Sequence, residues 1–146
     1  MAEKANNNSV DIFDALALNV EAEQEGRWIE DFPVPGAATK VARMDNVKYA
    51  RDLQRRMQAA QEDAREAGED LTPECTEELM TESMARHILT DWRGWVFQGS
   101  EVQYSPEKAE EILKDPRMRE LRNRIWSRSN SLTDYLAKNV KADAKN

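Results

Sequence analysis

Three times between residues 72 and 116 the chain places a capping side chain directly before proline. The instances are Thr72-Pro73-Glu74, Ser105-Pro106-Glu107 and Asp115-Pro116. Proline has no amide hydrogen to lose in a first helical turn, and Thr, Ser or Asp before it accepts from the open amides behind it. An acid in that turn also faces the positive end of the helix dipole. The device fixes three helix starts and predicts helices after residue 72, over a short stretch from residue 106, and from Pro116 to about Ala137. Asp45 is a fourth expected cap, opening a helix from Asn46 to Ala67 that Gly68 ends. Tyr49, Leu53, Met57, Ala60 and Ala64 give it a narrow apolar stripe. After Thr72, the residues Met80, Met84, Ile88 and Trp92 share one helical face. In the last helix Met118, Leu121, Ile125, Leu132 and Leu136 point inward.

Before the helices, Arg27-Trp28-Ile29-Glu30-Asp31-Phe32 and Thr39-Lys40-Val41-Ala42-Arg43 flank Pro33-Val34-Pro35-Gly36. β-favouring runs on either side of a Pro/Gly loop predict a small hairpin over residues 27–43. A lone hairpin is marginal in water, so it is expected to lean on a helix or join a partner's sheet. Residues 1–24 read as a flexible arm with an apolar cluster around Phe13, and residues 138–146 as a frayed tail. Residues 25–137 form a single domain. The fold class is mainly α: about four helices, a short N-terminal β-hairpin and flexible termini.

The 146 residues carry a net charge of -7, which opposes generic attraction to nucleic acid or an anionic membrane. The lone Cys75 leaves no internal disulfide, consistent with a reducing compartment. Residues 1–9 lack the apolar core of a signal peptide, and no apolar run is long enough to span a bilayer. Asn7-Asn8-Ser9 matches a glycosylation acceptor only in form.

Catalysis needs a tuned group with a partner in reach. The one histidine, His87, and Cys75 lie twelve residues apart on one helix, about 18 Å at a rise of 1.5 Å per residue. They cannot form a dyad within one chain. His87 and Asp91 stand four apart and could pair on the helix face. One Cys and one His do not build a zinc site. Residues 62–82 hold nine acids against Arg65, but without the alternating oxygens and central glycine of a calcium loop. No enzyme, metal or cofactor is expected. Lys114, Arg117, Arg119, Arg122, Arg124 and Arg128 surround Trp126, a combination that can bind single-stranded nucleic acid. In an acidic chain they are better read as a solvated face pairing with the acidic helix. Of the four tryptophans, Trp92 and Trp126 are expected in the core, and Trp28 and Trp95 between core and contact surface.

The order of the short motifs adds a resemblance. Gly26-Arg27-Trp28-Ile29, Lys40-Val41-Ala42-Arg43 and Asn46-Val47-Lys48-Tyr49 come first. His87-Ile88-Leu89-Thr90-Asp91-Trp92-Arg93-Gly94 and Val102-Gln103-Tyr104-Ser105-Pro106-Glu107-Lys108-Ala109 follow, then Ile112-Leu113. Over residues 25–135 this run resembles small tail assembly chaperones, or closely related tail proteins, of long-tailed bacteriophages. The connector at residues 96–101 and the acidic stretch at residues 62–70 depart from that pattern.

The resemblance implies a non-enzymatic protein of the host bacterial cytoplasm. Such a protein coats the tape-measure protein while tail-tube subunits polymerise around it, and is often made with a longer frameshifted form. It implies the tape-measure and tail-tube proteins as partners, homo-oligomers as a further possibility, and no membrane. Phe13, Trp28, Ile29, Phe32, Trp95 and Phe97 are the expected partner-binding residues. The alternatives are a minor structural protein kept in the virion, at the tail or head-tail junction, and a small nucleic-acid-binding or regulatory protein.

Overall fold

All three proline starts are used, though one opens a different element. A computed structural model of the chain describes residues 9–143. Among the described residues are seven α-helices, α1 (Ile12–Leu16), α2 (Val20–Glu25), α3 (Val47–Glu66), α4 (Pro73–His87), α5 (Pro106–Lys114), α6 (Arg119–Ser129) and α7 (Ala137–Asp143). The strands are β1 (Arg27–Glu30), β2 (Ala38–Val41), β3 (Leu89–Arg93), β4 (Val96–Phe97) and β5 (Ser100–Glu101). Thr72 Oγ1 accepts from the Cys75 amide at 3.1 Å, and Ser105 Oγ from that of Lys108 at 3.0 Å. The Asp115 carboxylate accepts from the Arg117 amide at 2.9 Å, but the turn it opens, Pro116–Met118, is a 3-10 turn. The α-helix proper begins at Arg119.

The cap of α3 is Asn46, not the expected Asp45. Its Oδ1 accepts from the Tyr49 amide at 2.8 Å. Its amide nitrogen donates to the carbonyls of Arg43 at 2.6 Å and His87 at 3.1 Å. Only an amide side chain both accepts and donates in this way, and an aspartate there would turn acceptor oxygens toward acceptor carbonyls. Asn46 is fully buried and ties the start of α3 to the end of α4.

The largest departure from expectation lies after His87. The helical face drawn through Trp92 stops at His87, and Leu89–Arg93 is a strand. It pairs antiparallel with β2, Ala38 opposite Arg93 and Thr39 opposite Trp92, with a register shift between Lys40 and Val41. The expected hairpin, β1 with β2, is thereby completed into a three-stranded sheet ordered β1-β2-β3. The apolar spacing of Ile88 and Trp92 fitted a helix, but the unsatisfied edge of β2 decides in favour of a strand. Both side chains are buried either way.

α4 packs against α3 and α5, and α6 against β2. Val41, Ile88, Leu89, Leu113 and Ile125 are fully or almost fully excluded from water in the apolar core. The expected helix from Pro116 to Ala137 is interrupted: α6 ends at Ser129, a 3-10 turn covers Leu132–Tyr135, and α7 restarts at Ala137. Ser129-Asn130-Ser131 supplies side chains that compete for backbone groups, and Ser129 Oγ donates to the Trp126 carbonyl at 2.6 Å.

The segment expected as a free arm divides in the same way. Residues 1–8 lie outside the described residues. Residues 17–24 belong to the domain. Leu18 bridges to Leu136, and the Asn19 amide donates to the Tyr135 carbonyl at 2.8 Å. Ala22 on α2 is buried. Residues 9–16 carry the exposed apolar side chains Val10, Ile12, Phe13 and Leu16, with none of α1 buried, and Val20 on α2 is exposed as well. Of the expected frayed tail, residues 138–143 continue α7, and residues 144–146 lie outside the described residues.

The connector after β3 is a two-residue hairpin, β4 with β5. Gln98 and Gly99 both have positive φ, 52° and 84°, the geometry of the turn that matches strand twist. Gly94 at its entrance has φ +67°, and a Cβ there would lie 2.8 Å from the Gly36 carbonyl oxygen. Both conformation and space require glycine. Gly94→Ala is expected to cost about 2 kcal/mol, read as a lower thermal midpoint. An unchanged midpoint would show that the two loops can separate freely.

Candidate protein-binding groove

The close approach of those two loops creates a strongly apolar concavity. Pro33, Val34 and Ala37 come from the β1–β2 loop, and Trp95, Val96 and Phe97 from the hairpin. Met118, Glu120, Leu121 and Arg124 form the opposite wall on α6 and the turn before it. The groove holds about 330 Å³, at the lower end of the roughly 300–1,000 Å³ typical of ligand pockets.

Its floor is rigid. Trp95, 5% exposed, stacks on Trp92 with centroids 4.2 Å apart and planes within 7°. Trp92 meets Tyr104 edge-on at 5.0 Å. Trp95 Nε1 donates to Thr39 Oγ1 at 2.9 Å, and that hydroxyl donates to the Phe32 carbonyl at 2.7 Å. Trp92 Nε1 donates to the Val102 carbonyl at 2.9 Å. Both indoles are therefore satisfied inside and present no polar atom to the groove. At the rim, the Arg124 guanidinium donates to the Pro33 carbonyl at 3.3 Å and to Glu120 at 3.2 Å, spanning the two walls. Val34 and Val96 stand exposed at the mouth, Val96 at 68%. The arrangement suits insertion of apolar side chains from a helix or strand and offers no group that could attack one.

The structure rearranges the expected contact residues. Ile29, Phe32 and Trp95 are core side chains, because the sheet and α6 close over them, and of the three only Trp95 shows a face to the groove, as its floor. Trp28 is half-buried beneath the Arg93 guanidinium, 4.6 Å from its ring centroid. Phe97 is half-buried in the groove wall. Phe13 is 76% exposed on α1. Sequence reading missed Val34 and Val96; Met118 and Leu121, expected toward the core, do pack against it, and their half-buried sides also line the groove. A valine between two prolines and one inside a glycine-bounded connector were the available signals.

The reactive side chains lie elsewhere and neutralise one another. His87 does not pair with Asp91, since α4 ends before it. Its Nε2 lies 3.7 Å from Asp52. Asp52 also accepts from Ser83 Oγ at 2.9 Å, from Arg56 Nε at 2.8 Å and from Arg55. Burial lowers the imidazole pKa, and the Asp52 charge only partly offsets this against Arg56, Lys48 and Arg55. Hydroxyl, carboxylate and imidazole meet here, but the carboxylate sits in the middle and Ser83 is fully buried. In a nucleophilic triad the imidazole stands between the other two. Among the described residues no group of three metal-ligating side chains occurs.

Of the basic residues around α6, Lys114, Arg117, Arg122, Arg124 and Arg128 are engaged by acids of the same chain. Lys114 Nζ lies 3.0 Å from both Glu78 and Glu82, and Arg122 lies 3.1 Å from Glu77, all three acids on α4. Arg128 pairs with Asp134 at 2.9 Å and Arg117 with Asp115 at 2.7 Å. For Lys114 and Arg122, pairing with the acidic helix is the arrangement expected from the sequence, whereas Arg117, Arg124 and Arg128 pair with acids nearer in the chain. Trp126, expected in the core, packs half-buried against its edge, on the core residue Tyr49 with centroids 6.0 Å apart.

A family model described as YdaY prophage protein matches residues 44–146, more than half of the chain. No curated protein and no solved structure matches. The matched region runs from α3 to the C-terminus and includes the hairpin and α6 walls of the groove.

Proposed function

The chain belongs to the YdaY prophage protein family and is phage-derived, and on that premise we propose that it is a non-enzymatic tail assembly chaperone. In this reading the groove floored by Trp95 takes apolar side chains from a helical stripe of the tape-measure protein. The complex stays dissolved in the host cytoplasm until tail-tube subunits displace it. The observation that carries the reading is an uncovered apolar groove with a rigid aromatic floor, in a chain whose net charge is -7. Grooves of this kind receive amphipathic helices, and a charged exterior keeps an apolar client in solution. The engagement of the α6 cations by intrachain carboxylates weighs against nucleic acid as the partner.

Co-expression with tape-measure protein tests the proposal. The client is expected in the soluble fraction and to co-purify with the wild-type chain. Val96→Asp is expected to cut recovery about tenfold, the effect of roughly 1.4 kcal/mol in binding. A client equally soluble without this chain, or captured equally by Val96→Asp, would end the proposal. Mass spectrometry of purified virions separates a chaperone, expected to be absent, from a retained tail protein.

A further inference from the structure

The apolar side chains that the fold leaves in water are concentrated in one short segment. Of the ten large ones exposed among the described residues, Val10, Ile12, Phe13, Leu16 and Val20 fall within residues 10–20. Single exposed apolar side chains are ordinary on a protein surface, whereas a contiguous cluster marks an interaction site. The turn of α1 puts Ile12, Phe13 and Leu16 on one side and Asp11 and Asp14 on the other. The cluster is tied to the domain just behind that turn. The Ala137 amide donates to the Ala17 carbonyl at 2.8 Å, and the Asn19 amide to the Tyr135 carbonyl at 2.8 Å.

The charge of the segment has one sign. Residues 9–26 hold five acids and no base. Arg43 and Lys48 engage Glu23 and Glu25. Asp11, Asp14 and Glu21 are exposed and have no ion-pair partner among the described residues. The complement of such a surface is an apolar trough rimmed by Lys or Arg. The groove of this chain is not that complement, because Arg124 is its one lining cation and pairs with Glu120 on the same wall at 3.2 Å. A net charge of -7 opposes a second copy, and the three free carboxylates oppose an anionic lipid surface.

We propose that residues 10–20 are a second docking element, which inserts Phe13 and Leu16 into a cation-rimmed apolar trough of a different protein. Element and groove share no residue, so one chain can hold a client in the groove and a second polypeptide by the element. The two contacts differ in kind. The lining charges of the groove are paired within the chain, whereas unpaired carboxylates draw the element to its partner and make that contact salt-sensitive. The inference goes beyond the chaperone reading and stands whether or not the groove takes a tape-measure helix.

The test uses the full chain and two designed amphipathic helices, one of Leu and Lys and one of Leu and Glu. Binding is followed by fluorescence anisotropy at low and high salt. The Leu/Lys helix is expected to bind at low salt and to be released by high salt. Phe13→Asp changes an exposed side chain, so it is expected to keep the wild-type melting curve. It is expected to weaken the Leu/Lys helix about tenfold, as for one lost interface anchor, and to leave any binding of the Leu/Glu helix unchanged. Because it adds a carboxylate, attraction by charge alone would instead tighten. Asp14→Asn combined with Glu21→Gln keeps every apolar side chain and is expected to remove most of the salt dependence. Val96→Asp is expected to leave the difference between wild type and Phe13→Asp intact. Failure of the Leu/Lys helix to bind would overturn the proposal, as would binding that Phe13→Asp leaves unchanged or strengthens. Salt dependence surviving the double substitution would also overturn it, as would a difference abolished by Val96→Asp, which would place the segment in the groove. Sedimentation of the chain alone and flotation with phosphatidylglycerol vesicles cover the other occupants. A dimer, or vesicle binding, that Phe13→Asp removes would assign the element to a second copy or to lipid and end the proposal.

Discussion

Asp52→Ala is expected to destabilise the fold by about 3 kcal/mol, the lower range for removing one partner from a buried ionic cluster. The carboxylate is 4% exposed and joins α3 to α4 through Ser83, while Arg56 continues the chain of contacts to Glu82 at 2.8 Å. Its removal leaves the Ser83 hydroxyl buried without its acceptor, and an unsatisfied buried group costs about 1–3 kcal/mol by itself. The contact to Arg55 adds little, because that guanidinium is mostly in water.

The pH dependence fixes the assignment. Burial alone would raise the Asp52 pKa, but hydrogen bonds from Arg56, Ser83 and Arg55 with the Arg56 charge outweigh it and hold it below 3.8. A carboxylate depressed in the folded state binds its proton first in the unfolded chain. Its stabilisation is therefore complete above pH 3.8 and is lost as pH falls through the lower folded value. The gap in thermal midpoint between wild type and Asp52→Asn should be full at neutral pH and should shrink only below about pH 4. A gap that closed near pH 6 instead would assign the coupling to His87.

How much of this was legible in the sequence depends on how local each signal is. The proline caps are local: hydroxyl, proline and acid act within one turn, and α4 and α5 start where they predict. Asn46 was missed in favour of Asp45 because both cap equally well from the side chain alone. The deciding contact is the His87 carbonyl, forty-one residues away. The strand at Leu89–Arg93 was missed for the same reason. Ile88 and Trp92 satisfy a helical period, and the open edge of β2 that recruits them is invisible until the chain is folded.

The groove is the least local feature of all. It exists only where a proline loop, a glycine-bounded hairpin and α6 converge, so its aromatics were found by residue type and its mouth valines were not. Residue type also could not separate the Trp95 that floors the groove from a Trp95 that contacts a partner.

That distinction has a large expected effect. Trp95→Ala is expected to lose about 4 kcal/mol of stability, as usual for a buried aromatic replaced by alanine. The indole is packed flat on Trp92 and bonded to Thr39, so its loss opens a cavity and removes the donor to a fully buried hydroxyl. Against a total of roughly 5–15 kcal/mol for a domain of this kind, such a variant sits near unfolding and loses every activity together. Val96→Asp, one residue away, changes an exposed side chain and is expected to move stability by no more than about 0.5 kcal/mol. It should nonetheless weaken what the groove binds about tenfold, because desolvating a carboxylate at the mouth against an apolar client is costly. Thermal melts and client capture, measured side by side, separate the two residues. If Trp95→Ala melted like wild type while losing capture, the tryptophan would serve the client contact and not the fold. If Val96→Asp unfolded the chain, the groove would be part of the interior and no partner would reach it.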